Sequence, residues 1–447
     1  MNEVDLPGAG HPARWVAAAF GVAITAGTVL LWLPAATESG QETSFSDALF
    51  TATSAVCVTG LVVVDTGSHW STFGELVILG LIQIGGFGIM AVTSLLALAF
   101  SGRLGLRIRM RAGTEVGVLG LGDIRRVLRV IAGVTVVVEG VTAIVLAVSL
   151  WVAHGRGLGR AVYEGVFHAV SAFNNAGFSL YADSLVGFVG SPIFSAAIAV
   201  AVIIGGLGFP VLSDVRGRLR SPRRWGLHSK VIVSATIGLL VVGISVMTAF
   251  EWTNPDTLGP LAFGEKLVAG AMSGVMPRTA GFNAVDIGGM HPATLLVTNG
   301  LMFIGAGNAS TGGGIKIATF AILGWAIWAE LRGDPDVTLF HRRVDVSLIR
   351  HALAIALIGV AAVMVGAVAI LGLSDAELGA ALFESTSAFA TVGLTTGLTP
   401  TLSEPARMVV IALMFIGRVG PATLGTALVL RSRRRRFRYP EEGLLVG

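Results

Sequence analysis

The sequence predicts an all-α integral membrane protein built from four fused repeats, and three observations carry that expectation. Hydrophobic residues fill 53% of the 447 positions, charged residues 13%, and the mean hydropathy is +0.79. A dispersed soluble chain of this length does not sustain such a balance. Apolar stretches long enough to cross a hydrocarbon core, about 20 residues for about 30 Å, lie near 15–34, 73–100, 127–152, 193–213, 231–250, 293–325, 350–373 and 406–430, which makes eight spanning helices. A glycine closing a short apolar segment recurs at Gly60, Gly177, Gly281 and Gly393, separated by 117, 104 and 112 residues. Self-similarity at a near-constant period marks a duplicated unit.

The units run 15–112, 113–225, 226–340 and 341–432, between an N-terminal segment 1–14 and a basic tail 433–447. Three of the glycine segments share the pattern Phe-x3-Ser-Ala-x4-Gly, from Phe50 to Gly60, Phe167 to Gly177 and Phe383 to Gly393. The third segment keeps only the end of the pattern: its serine is displaced by two positions, and Pro277 and Arg278 are inserted into the approach.

Within each unit the first span leads into a short apolar helix, at 45–54, 160–171, 264–273 and 375–387. About ten residues are too few to cross the bilayer, so these read as half-helices that dip in and return through the glycine loop. Irregular backbone at membrane depth is tolerated only where protein shields it or where it lines an aqueous cavity. Each unit is therefore a membrane-pore-membrane element, and the four half-helices surround one central pore.

The loops suit a monovalent cation. A dehydrated cation needs oxygen dipoles in place of water, and backbone carbonyls supply them without a trapping charge. Aiming successive carbonyls at one axis requires backbone angles that glycine visits at little cost. The candidate filter residues are Val58, Thr59 and Gly60; Asn175, Ala176 and Gly177; Thr279, Ala280 and Gly281; and Thr391, Val392 and Gly393. None is acidic, which argues against a carboxylate ring for divalent cations. Half-helix C-termini carry partial negative charge, which favours a cation at the axis.

A second glycine signature follows each filter glycine after 25, 28, 24 and 24 residues, at Gly85, Gly205, Gly305 and Gly417. It fits either close helix packing by small residues or a wider pore. Two features stand out in the last two units. The span 293–325 is interrupted at 305–316, where Gly305, Gly307, Ser310, Thr311, Gly312, Gly313 and Gly314 make seven of twelve residues Gly, Ser or Thr, alongside Asn308 and Lys316. No helix persists through that composition. A phosphate-binding loop needs Gly-Lys-Ser/Thr after a strand, so an intramembrane gate beneath the filter is the preferred reading. Arg418 lies mid-span, where a charge costs about 2.5–3.5 kcal/mol and faces the protein interior. It is expected to set the closed state together with the loop. Glu139, the other intramembrane charge, is expected to make structural hydrogen bonds.

Charge placement orients the chain. Of 31 Lys and Arg, 24 fall on one side of the expected spans, while Asp65, Asp183, Asp286 and other acids mark the opposite loops. The positive-inside rule makes the basic side, and both termini, cytoplasmic. No cleavable leader is expected before the first span, the single cysteine, Cys57, forms no intramolecular disulfide, and the tail 433–436 is expected to face anionic lipid in preference to nucleic acid.

Four membrane-pore-membrane units with one glycine per filter segment resemble the Trk, Ktr and HKT potassium transporter superfamily. The eight-span length, Arg278-Thr-Ala-Gly281-Phe282-Asn283 and Ile416-Gly-Arg418-Val-Gly-Pro421 resemble most closely the membrane-subunit (KtrB) family of Ktr systems. The resemblance implies K+ as the ion bound at the filter, because all four filter glycines are retained. It also implies a homodimer in the bacterial inner (plasma) membrane, and a cytosolic KtrA-type ring that binds ATP or ADP. Sodium dependence stays open. The chain shows no hydrolytic motif, no metal-ligand spacing among its eight histidines and no organic cofactor site, so it is expected not to be an enzyme. The membrane potential suffices: at about 2.3 kcal/mol per charge per 100 mV, about 150 mV sustains a several-hundredfold potassium gradient. The alternatives are the potassium-binding membrane subunit of a P-type pump, a sodium-permeable HKT-like transporter and a structural membrane protein.

Overall fold

The structure, a computed structural model, describes residues 12–110 and 121–430. The expected 112/113 boundary, most of the N-terminal segment and the basic tail lie outside the described residues. Fifteen α-helices carry the described chain, with one two-stranded hairpin, β1 (Thr338–Leu339) and β2 (Arg342–Arg343), which turns at Phe340 and His341.

Of the four expected units, the first holds α1 (Pro12–Leu31), the short helix α2 (Phe45–Cys57), here called a half-helix like its counterparts, a single turn α3 (Thr66–His69) and α4 (Thr72–Met110). The second contains α5 (Leu121–Ala153), the half-helix α6 (Leu158–Phe173), α7 (Pro192–Leu207) and α8 (Phe209–Gly217). The third contains α9 (Leu227–Glu251), the half-helix α10 (Phe263–Val275), α11 (Pro292–Phe303) and α12 (Ile317–Arg332). The fourth contains α13 (Val346–Leu373), the half-helix α14 (Leu378–Ala390) and α15 (Glu404–Leu430).

The fold is an all-α membrane architecture. Among the described residues, segments of α4, α5, α9 and α13 are long and apolar enough to cross a bilayer unbroken, and Trp15–Leu31 and Pro292–Phe303 are shorter apolar helices. Two of the eight expected spans are broken. The interruption at 305–316 was expected. The bend of 99° between α7 and α8 was not. Gly208 makes it, at φ +88°, a conformation that a side chain rarely adopts, and Pro210 follows it without a backbone N–H to continue the helix.

The half-helices α2, α6 and α14 pack between their flanking helices, whereas α10 packs on α9 and on α7 of the preceding unit, and α11 packs on α14. The motif phenylalanines Phe50, Phe167 and Phe383 are fully buried, so the Phe-x3-Ser-Ala pattern is one face of a half-helix pinned into protein. A single apolar cluster joins Leu61 and Ile78 of the first unit to Phe389 and Val410 of the fourth, which closes the arrangement on itself.

Candidate ion pathway and gate

Each half-helix ends in the same local device. Two residues before the filter glycine, Val58, Asn175, Thr279 and Thr391 take left-handed φ of 56°, 59°, 64° and 49°. The glycines follow with φ of 90°, 72°, 72° and 96°. The motif serine explains the tightness of the turn. Ser54, Ser171 and Ser387 accept, on their carbonyls, the N–H groups of Thr59, Ala176 and Val392 at 2.7–2.9 Å. The Ser54 and Ser387 hydroxyls also accept the N–H of Gly60 and Gly393, each at 3.1 Å. The third segment lacks that serine and turns on a different bond, Ala280 N–H to the Met276 carbonyl at 3.0 Å.

The four glycines meet in cyclic order. A Cβ added to Gly60 would strike the carbonyl of Ala176; one on Gly177, that of Ala280; one on Gly281, that of Val392; and one on Gly393, that of Thr59. Each clash involves the residue preceding the next glycine along the chain, and the last returns to the first. Backbones approach this closely only because no side chain intervenes. The hydroxyls of Thr59, Thr279 and Thr391 are buried and, among the described residues, have no hydrogen-bond partner. Orphaned buried oxygens are costly, and they suit a hard monovalent cation.

Outside this ring lies a cavity of about 280 Å³ lined by all four glycines together with Asp65, Asp286 and Tyr181. The two carboxylates bias it toward cations. Burial and the hydrogen bond to Glu164 raise the Tyr181 phenol, which therefore stays neutral and donates to Glu164 Oε2 at 2.8 Å.

Inside the ring sits the 305–316 loop. It is non-helical and mostly buried, and it is held by Gly307 N–H to the Gly206 carbonyl at 2.8 Å and by Gly305 N–H to the Ile315 carbonyl at 2.9 Å. Gly312 and Gly313 press against the hydroxyls of Thr279 and Thr391, leaving no room for a Cβ. Thr311 Oγ1 lies 2.9 Å from the Asn175 amide and donates to the Phe173 carbonyl at 3.2 Å. Ser310 and Lys316 bond back to the loop carbonyls of Gly307 and Gly312 at 2.6 Å each. Arg418 is buried, with Nη1 donating to the Thr311 carbonyl at 2.5 Å and Nη2 to that of Gly85 at 3.4 Å. The sequence confined these contacts to the third and fourth units. The loop also touches the second, where Gly208 abuts the Asn308 carbonyl and Phe209 N–H donates to that of Ala309 at 3.1 Å. Through Arg418 it reaches the first.

A family model described as a cation transport protein, TrkH, matches residues 9–434. The chain belongs to the TrkH family of cation transport proteins. It is similar to the Ktr system potassium uptake protein B of Bacillus subtilis, 39% identical over 98% of this chain and 97% of that one. It is 41% identical to the protein of the same description from Vibrio alginolyticus, over 94% and 91%, and 35% identical to the potassium/sodium uptake protein NtpJ of Enterococcus hirae, over 98% and 97%. Among solved structures, the potassium transporter TrkH of Vibrio parahaemolyticus matches with a TM-score of 0.72 at 19% identity, covering 96% of this chain and 87% of the other. That likeness speaks for the fold alone.

In this TrkH-family chain the second glycines serve close packing. Gly85, Gly205 and Gly417 lie against the carbonyls of Val56, Phe173 and Phe389, each four residues before a filter glycine. In the third unit Gly305 meets its own loop at Gly313 instead, which is where the helix breaks. Glu139 accepts from the Asn174 amide at 3.0 Å, and that amide also donates to Gln83 at 2.8 Å; both bonds hold the end of α6. Cys57 is buried and is the last residue of α2, which runs three residues beyond the expected end at 54.

Two buried braces escaped the sequence reading. His168 lies 3.1 Å from the Ser179 hydroxyl, and Glu384 accepts from Thr395 at 2.8 Å and from Thr399. Each joins a half-helix residue nine positions before a filter glycine to a hydroxyl two positions after it. The recurrent offset was available in the sequence as a signal. Arg278, also overlooked as a structural link, is buried and reaches the Gly305 carbonyl at 3.4 Å, joining the third filter segment to the start of the loop.

Proposed function

We propose that this chain is the pore-forming membrane subunit of a potassium uptake system, working by channel-like permeation down the electrochemical gradient. The observation that carries the reading is the cyclic contact of Gly60, Gly177, Gly281 and Gly393, each against the carbonyl preceding the next. A ring of backbone oxygens replaces the hydration shell without a fixed charge to retain the ion. The names of the relatives support potassium as that ion. The acidic outer cavity concentrates cations, the ring strips and selects them, and the 305–316 loop with Arg418 blocks the exit until it moves. A fixed cation under the filter raises the barrier to another cation, so opening withdraws Arg418 or the loop from the path. No bound organic cofactor enters this cycle, and the chain catalyses no covalent step.

The designation of two relatives as protein B of a Ktr system supports a further component. On this reading a cytosolic KtrA-type ring binds ATP or ADP, docks on the basic face of a homodimer and moves the loop, with both termini in the cytoplasm of a bacterial inner membrane. Sodium is the second ion to consider, because the Enterococcus relative carries sodium in its name.

Growth rescue tests the reading. Expression in a potassium-uptake-deficient host should restore growth at limiting potassium, and proteoliposomes should take up rubidium in response to an imposed potential. Equal passage of sodium in those liposomes overturns potassium selectivity, and vanadate-sensitive uptake overturns the channel-like mechanism in favour of a P-type pump.

A further inference from the structure

A second chemistry lies away from the pore. The connection from α8 to α9 folds into a compact turn held by its own backbone: Arg218 Nη1 donates to the Arg224 carbonyl at 2.8 Å, Lys230 Nζ to that of Arg223 at 2.8 Å, and Trp225 Nε1 to that of Arg218 at 3.1 Å. Against this turn sits the β1–β2 hairpin, secured by an apolar cluster in which Val231 and Ala321 pack on Leu339 and Val344. Between turn and hairpin is a cavity of about 620 Å³, into which Arg218, Arg223, Arg224, Lys230 and Arg342 converge.

Five cations meet there with little to balance them. Arg218 shares Asp214 at 3.3 Å. Among the described residues, Arg223, Arg224, Lys230 and Arg342 have no carboxylate within the ion-pair distance of 4.0 Å, whereas the neighbouring Arg343 is paired with Asp336 at 2.9 Å. Like charges held close by fixed backbone contacts repel, and an anion relieves that repulsion. Guanidinium groups suit phosphate in particular, through paired N–H donors.

We propose that this cavity binds the phosphate-bearing headgroup of an anionic phospholipid. Its position favours a lipid over a soluble phosphate. The membrane-spanning segment of α9 begins at Leu227 and that of α13 at Val346, so the cationic walls stand at the ends of two spans. Trp225 and Phe340 also line the cavity, Phe340 is 46% exposed and the nearby Leu219 is 65% exposed. Aromatic and apolar side chains beside cations at a span end match the boundary between headgroups and acyl chains. A volume of about 620 Å³ is of the size that takes a small ligand such as a headgroup.

Native mass spectrometry of the full-length protein in maltoside micelles, titrated with dioctanoyl-phosphatidylglycerol, tests this site independently of transport. Wild type should bind one lipid saturably. Arg223→Gln/Arg224→Gln/Arg342→Gln should weaken that binding by about tenfold or more, while Arg216→Gln/Arg220→Gln, on the same face but outside the cavity, should stay within about twofold. The triple lysine variant keeps the charge and should still bind, which separates loss of the site from loss of the fold. Unchanged binding by the triple glutamine variant overturns the proposal, as does an equal loss in the control pair. Equal binding of dioctanoyl-phosphatidylcholine removes the anionic preference. Displacement of the lipid by millimolar inorganic phosphate assigns the site to a soluble anion instead.

Discussion

Arg418 Nη1 donates to the carbonyl oxygen of Thr311 at 2.5 Å across 107 positions of sequence, which fastens α15 to the 305–316 loop. Its second nitrogen reaches the Gly85 carbonyl, and no carboxylate lies within 4.0 Å of it among the described residues. The charge is compensated by backbone dipoles alone. Such a contact holds while the carbonyls stay in place and weakens as soon as the loop shifts.

Removing that tie should open the pathway. A charge-assisted hydrogen bond contributes about 1.5–3 kcal/mol, so Arg418→Gln should raise rubidium uptake into proteoliposomes about ten- to hundredfold in the absence of any cytosolic partner. Uptake equal to wild type in both rate and regulation would remove Arg418 from the gate.

The loop should respond as one element. A Cβ at Gly313 would collide with the Thr391 hydroxyl, so Gly313→Ala should displace the loop and increase basal flux. Because Arg418 acts on the same element, the double variant should exceed the larger single effect by no more than about twofold. Independent, multiplicative effects in the double-mutant cycle contradict a shared gate.

Selectivity should depend on the filter glycines and not on glycines in general. Gly177 has φ +72° and its added Cβ would lie 2.8 Å from the Gly281 Cα; the backbone strain alone costs about 1–2 kcal/mol. Gly177→Ala should abolish discrimination of potassium from sodium or stop flux altogether. Gly88→Ala, in α4 with open space around the added carbon, should leave both unchanged. Competition of sodium with rubidium uptake measures the difference.

Mild acid should loosen the outer loops through His69. Burial lowers this imidazole below its usual value, against smaller opposing effects of Asp47 and Asp65, and its Nε2 lies 2.8 Å from the Thr43 hydroxyl. The unfolded imidazole titrates near 6.5, so the folded protein binds fewer protons in that range. The contribution is fully present above that pH and is lost as pH falls through it toward the lower folded value. Thermal unfolding should show a drop in stability as pH falls below about 6.5 that His69→Gln abolishes. An unchanged profile in that variant places the acid sensitivity elsewhere.

The glycine turns were legible in the sequence because their determinants are local. Ser54 and Gly60 lie six residues apart, and the serine closes the turn that the glycine completes, so one short pattern encodes both. The interruption at 305–316 was equally plain, since small residues cannot sustain a helix. The bend at Gly208 went unread although Pro210 marks it, because the surrounding run stays apolar and matches a continuous span. The braces of His168 and Glu384 went unread because each side chain bonds across a loop and the recurring offset joins different residue types, histidine to serine in one and glutamate to threonine in the other.

Hydrophobic length and the recurring glycine together determined an all-α membrane chain with a glycine turn after a short helix at four places, since lipid favours apolar side chains and demands that backbone polar groups be satisfied within the protein. Only the tertiary structure decided the cyclic order in which those glycines meet, the close packing of the second glycines against half-helix carbonyls, and the reach of the 305–316 loop into the first and second units. The glycine ring and the loop contacts join segments a hundred residues or more apart, and the second glycines meet carbonyls 28 to 32 residues before them. A carbonyl oxygen is the same in every residue, so nothing in the one-letter sequence distinguishes the carbonyl that Arg418 holds from its neighbours until the fold brings the two together.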